Sequence, residues 1–122
     1  MSKHSWKDLI VWQKAHQLVI DIYKTANSFP ESEKYNLTSQ IKRAAVSVPT
    51  NIVEGHDRNS VNEFIRFLYI SRGSLEEVRY LFLLAKDLGY ANEITYQETE
   101  RKCSEISILL NNLIKSIKEI PV

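Results

Sequence analysis

SVNEFIRFLYISRGSLEEVRYLFLLAKDLG, residues 60–89, decides the fold. Within it Phe64, Leu68, Ser71, Leu75, Val78, Phe82 and Ala85 recur at spacings of three and four, the stripe of an amphipathic helix. Ser60-x-x-Glu63 opens the run as a capping box, in which each side chain accepts a hydrogen bond from a free N-terminal N–H. Gly89 closes it. The pattern predicts a helix over 60–88, about 28 residues and roughly 40 Å long. A second apolar stripe, Phe67, Ile70, Leu81, Leu84 and Leu88, asks for cover on another side. Gly73 stands mid-helix, where glycine costs about 1 kcal/mol relative to alanine, so a close helix approach is expected there.

A helix of that length needs partners, and the flanking sequence supplies three. Upstream, Ile41, Ala45, Val48 and Ile52 mark a helix over 38–55, with Gly55 as a left-handed C-cap. Pro49 lies inside it and cannot donate to the carbonyl of Ala45, which predicts a kink or two shorter helices meeting near Ser47. Trp12, Ala15, Val19, Ile22 and Ala26 mark a first helix over 7–27, widened by Leu18 and Tyr23 and ended by Phe29-Pro30. Downstream, a box Thr95-x-x-Glu98 and a seam of Cys103, Ile106, Leu110, Leu113, Ile117 and Ile120 predict a fourth helix over 94–120, before Pro121. Short connections between long helices favour antiparallel neighbours. The expected fold is therefore all-α, an antiparallel up-down four-helix bundle, with residues 1–122 forming one domain.

Composition agrees with that reading and bounds the function. Three Gly and three Pro leave little material for the turns of a strand-rich protein. The lone Cys103 has no internal disulfide partner, which fits a reducing compartment. No apolar run approaches the ~18 residues of a membrane span, and the start MSKHSWKD has no signal-peptide core, so a cytoplasmic location is expected. A formal net charge of +1 gives no global basic field, and any nucleic-acid binding has to come from a local patch.

No catalytic residue, cofactor site or metal site is expected. His4, His16 and His56 are scattered, and only Glu54-Gly55-His56-Asp57 brings carboxylates and an imidazole together, as a polar helix end. There is no phosphate loop or nucleophile elbow. Ser47, Ser71 and Ser74 fall within helices, where small side chains permit close packing. The arginines carry more information. Arg43, Arg58, Arg66, Arg72 and Arg79, five of six, lie between positions 43 and 79. A guanidinium suits phosphate because its planar fork donates two parallel hydrogen bonds. Against that, Glu76 stands four residues from Arg72 and three from Arg79, and Glu63 three from Arg66, all helical ion-pair spacings. Both readings stay open at this level. The apolar surplus points to assembly: beside the second stripe of the third helix, Ala44, Val46 and Val53 lie off the inner stripe of the second, and the expected cover is a partner subunit, with neighbouring helices of the same bundle as the alternative.

Three stretches resemble a known family. DLIVWQKAHQL (8–18), the long run 29–81 containing QIKRAAVSVPTNIVEG and GSLEE, and AKDLGY (85–90) are similar to four-helix bundle proteins encoded in 23S rRNA intervening sequences, a family related to the accessory protein of diversity-generating retroelements. The resemblance implies a homo-oligomer, a ring-shaped pentamer, with no catalytic residues. It further implies contact with RNA or DNA, or with a protein such as a reverse transcriptase. Arg43, Arg58, Arg66 and Arg72 are then the candidate phosphate contacts, and Pro49, Asn51, Glu54 and Gly55 are structural. Asn36, Lys42 and Val53 depart from the family's usual Gly, Arg and Ala.

Overall fold

A computed structural model describes residues 5–120, so His4 and Pro121 fall outside the described range. It contains α1 (Ile10–Ala26), α2 (Leu37–His56), α3 (Val61–Asp87) and α4 (Glu93–Lys118), with short 3-10 turns at Trp6–Asp8 and Glu31–Glu33. No strand occurs among the described residues. Each helix packs on its chain neighbours and α1 also packs on α4, so the closest approaches run around the bundle. Lys14 meets Glu105 at 3.0 Å and Asp21 meets Lys102 at 2.9 Å, so α1 and α4 run antiparallel. The result is a closed up-down four-helix bundle.

Its core is the predicted one, with local shifts in register. Ile41, Ala45, Val48 and Ile52 of α2 are fully buried, as are Leu68, Ser71, Leu75, Val78 and Ala85 of α3. In α1 the centre of the buried face is Val11, Ala15, Leu18 and Ile22, while Trp12 and Val19 are only partly covered. Leu9 is extended and acts as N-cap, so the helix starts three residues later than expected, at Ile10. In α4 Ile114 is buried where Leu113 was expected, and Ile120 is exposed because the helix stops at Lys118.

The helix ends explain themselves locally. Ser60 Oγ accepts the Glu63 N–H at 3.3 Å, but the Glu63 carboxylate turns to Arg66, so only half of the capping box forms. The cap of α4 is Asn92, whose side chain accepts from Thr95 N–H at 2.8 Å, and not the predicted box beginning at Thr95. Asparagine caps as well as threonine does, and it starts the helix at Glu93, one residue before the expected boundary. At the end of α3, Gly89 has φ 83°, Gly89 N–H donates to Lys86 O and Tyr90 N–H to Ala85 O, the paired bonds of a Schellman turn.

Two glycine expectations are overturned. Gly55 is not a left-handed cap: it lies inside α2, which runs on to His56. A Cβ there would stand 2.7 Å from Phe67 Cβ and 2.9 Å from Phe64 Cδ1, so glycine is required by the close crossing of α2 and α3. Gly73 has no such neighbour; a Cβ on it would meet nothing within 4 Å. The close approach predicted at Gly73 is thus made at Gly55.

Helix α2 continues unbroken through Pro49, so the two-helix alternative does not hold. Side-chain donors gather on the carbonyls around the proline. Ser71 Oγ donates to Val48 O at 2.7 Å from across the helix pair, and Asn51 Nδ2 donates to Ser47 O at 2.8 Å. The hydroxyls of Ser47 and Ser74 are 2.8 Å apart, a second polar tie between α2 and α3. Most of the second stripe of α3 is spent on this pairing as well: Leu81 is buried and Phe67 lies against Gly55, leaving Ile70 and Leu88 exposed. Ala44 is also buried within the bundle.

Candidate nucleic-acid interface

The arginines of α2 and α3 fall into separate groups. Arg58, in the turn between the two helices, pairs with Glu54 at 3.5 Å and lies 4.9 Å from the centroid of Phe67. Arg66 pairs with Glu63 at 2.9 Å and lies 4.7 Å from the same ring. Gly55 lets Phe67 lie close against α2, and the ring then seats both guanidiniums. The structure therefore brings Arg58 and Arg66 together at one corner of the bundle. Their ion pairs are surface pairs, worth at most about 1 kcal/mol each, and they restrain the side chains only weakly.

Arg72 and Arg43 lie apart from that corner. The predicted pairing of Arg72 with Glu76 does not form, because Glu76 pairs with Arg79 at 3.0 Å. Arg79 also binds Glu100 of α4, and this hydrogen bond raises its already high pKa further. Arg72 instead donates to Asn111 Oδ1 at 2.9 Å and lies 4.7 Å over the Tyr69 ring. Arg43 is exposed on α2, beside Gln40, Ser47 and Glu77, and forms no ion pair among the described residues.

Sequence reasoning missed the α4 side of this surface. Lys118 Nζ donates to the Tyr69 phenol oxygen at 2.6 Å, and that bond pulls the phenol below its ordinary pKa. Asn111, Lys115 and Lys118 follow one another at spacings of four and three, which places them on one face of α4. That spacing was the available signal, but nothing in it says which helix stands opposite.

The other polar clusters are largely paired within themselves. The groove between α1 and α4 holds about 210 Å³, and more open hollows beside Arg43 and Arg58 hold about 380 and 390 Å³. The charged walls of the groove are already paired as Asp21–Lys102 and Lys14–Glu105. Burial would raise the Asp21 pKa, but hydrogen bonds from Lys102 and Gln17 outweigh it and hold the carboxyl below its usual value. Among the described residues no group of three or more His, Cys, Asp and Glu side chains could hold a metal ion. In the corner 54–57, Glu54 is taken by Arg58 and His56 packs edge-on against Phe64 at 5.8 Å. Cys103 is buried, and desolvation pushes its thiol up to about 12. It is expected to resist a thiol reagent in mildly alkaline buffer until denaturant unfolds the chain. Stoichiometric labelling of the native protein would overturn that burial.

Among the described residues no helix is long and apolar enough to cross a membrane. Fold and surface together define an all-α four-helix bundle with exposed cations on α2 and α4. The chain belongs to the 23S rRNA-intervening sequence protein family, whose model matches residues 7–112. It is also similar to a protein of unknown function from the S23 ribosomal protein family of Bacteroides thetaiotaomicron VPI-5482, known from a crystal structure. Identity is 26%, coverage is 89% of this chain and 98% of that one, and the TM-score is 0.82. No functionally curated protein matches the chain.

Proposed function

We propose that this protein is a non-enzymatic, cytoplasmic, homo-oligomeric scaffold that binds RNA or DNA through exposed arginines of α2 and α3. The observation that carries this reading is the state of Arg43 and Arg72: Arg43 is exposed and Arg72 half-buried, and neither pairs with a carboxylate among the described residues. Unneutralised guanidiniums suit phosphate, and a bundle with no metal cluster among its described residues leaves binding as the simpler role. Arg58 and Arg66 contribute less, because each is already paired with a glutamate. Assembly is supported by Val46 at 38% and Ile70 at 41% exposure, apolar residues on the outward side of the α2–α3 pair. A pentamer follows from the family resemblance.

The expected result is salt-sensitive binding of a fluorescent single-stranded RNA, with affinity falling linearly against salt on logarithmic axes. Light scattering is expected to give a multiple of the 14.2 kDa chain mass. Salt-independent retention, or none, would favour a protein-interaction scaffold instead. That second reading draws on the fact that Arg58, Arg66 and Arg79 all pair with glutamates. A mass near 14.2 kDa at micromolar concentration would reject assembly.

A further inference from the structure

The seam between α3 and α4 places two cations at one phenol. Arg72 lies over the face of Tyr69 at 4.7 Å, and Lys118 donates to its oxygen at 2.6 Å. With its ammonium 5.2 Å from the ring centroid, Lys118 stands beyond the oxygen and in line with it, not over the ring face. Lys115 is exposed on the same face of α4 as Asn111 and Lys118 and forms no ion pair among the described residues.

Local carboxylates do not neutralise this cluster. Glu76, one turn beyond Arg72, is held by Arg79, and Glu63 is held by Arg66. Glu119, the C-cap residue of α4, forms no ion pair among the described residues. The hydrogen-bonding capacity is also mostly unspent. A guanidinium has five N–H donors and Arg72 uses one, on Asn111; an ammonium has three and Lys118 uses one, on Tyr69. Tyr69 accepts that bond, which leaves its own O–H to donate. The ammonium that lowers the phenol's pKa also makes it a stronger donor.

We propose that Arg72 and Lys118, held at the Tyr69 ring and hydroxyl, form an oxyanion site that takes a backbone phosphate of a bound nucleic acid, with Lys115 adding charge on the same face of α4. The assignment rests on the nucleic-acid reading above and places its centre at Arg72 and the α3–α4 seam, with the Arg58–Arg66 corner secondary. Tyr69 is the organising element. Its ring seats the guanidinium and its oxygen fixes the ammonium, so two flexible cations are held in place before the phosphate arrives. The corner arginines must first give up Glu54 and Glu63; the seam has no such competitor.

The test compares two double variants in the full-length protein. Arg72→Gln with Lys118→Gln is expected to weaken RNA binding about tenfold at low salt and to reduce the salt slope by about two. Arg58→Gln with Arg66→Gln is expected to change affinity by no more than about threefold, since each charge is already paired. Size-exclusion chromatography and circular dichroism check that both variants keep the assembly and the helices. A seam variant that binds like wild type overturns the site while leaving nucleic-acid binding intact. If wild type binds no RNA, the nucleic-acid reading fails, and thermal unfolding with inorganic pyrophosphate decides the site. Stabilisation of wild type that is lost in the seam variant would keep it as a phosphate site for a smaller ligand; no stabilisation would end it.

Discussion

Replacing Leu110 by alanine is expected to cost about 2–5 kcal/mol of unfolding free energy, the usual range for large-to-small changes at buried positions. Leu110 is fully buried near the middle of α4, flanked one turn away by Ile106 and Ile114, which are also buried. Fraying at either end of Glu93–Lys118 therefore cannot relieve the void. The penalty combines lost transfer energy of the removed methyl groups with the vacant volume the neighbours fail to fill. Urea titration followed by circular dichroism measures it. A loss below about 1 kcal/mol, the scale of an ordinary surface change, would mean that α4 presents another face to the core.

Leu110 was legible because the apolar spacing of α4 repeats often enough to fix its phase. Repetition likewise gave the α2 stripe and nearly all of the α3 stripe, and with them the bundle. Features resting on a single residue or a non-local contact were read less well. Gly55 and Gly73 look alike in a sequence, each a glycine in a helical pattern; only the crossing of α2 and α3 shows which one a neighbour crowds. Thr95-x-x-Glu98 satisfies the capping formula, but Asn92 reaches the Thr95 N–H first. The second stripe of α3 was assigned chiefly to another subunit, whereas α2 of the same chain covers much of it, including Leu81.

The binding surface was harder still. Ion pairs three residues apart were foreseeable for Arg66 and Arg79, since both ends lie on one helix. Pairing across helices was not. Arg72 chooses Asn111, and Lys118 chooses Tyr69, over sequence separations of 39 and 49 residues. Which cation stays unneutralised depends on those choices. A count of arginines therefore located the α2–α3 region but not the residues from α4 that complete the seam.

The second large effect is expected at Gly55. Valine there should destabilise by about 3 kcal/mol or more, at or above the upper end of ordinary overpacking costs. The first added carbon already falls 2.7 Å from Phe67 Cβ, an atom fixed to the α3 backbone that no side-chain rotation can move away. It also falls 2.9 Å from Phe64 Cδ1 and 3.3 Å from Phe64 O, so the helices themselves must separate. Alanine makes the same first contact and is expected to lose less, because its higher helix propensity returns about 1 kcal/mol. Gly73→Ala supplies the opposite sign. With nothing within 4 Å of the new methyl group, it should gain up to about 1 kcal/mol from helix propensity and a less flexible unfolded chain. Thermal and urea unfolding of the three variants measure the contrast. A Gly55→Val protein as stable as wild type would show that α2 and α3 do not cross closely there. A loss at Gly73 would show that a second subunit covers that side of α3. Separation of the helices at Gly55 also displaces Phe67, the ring that seats Arg58 and Arg66. Gly55→Ala, if folded, should therefore disturb the corner arginines while leaving RNA binding at the α3–α4 seam close to wild type.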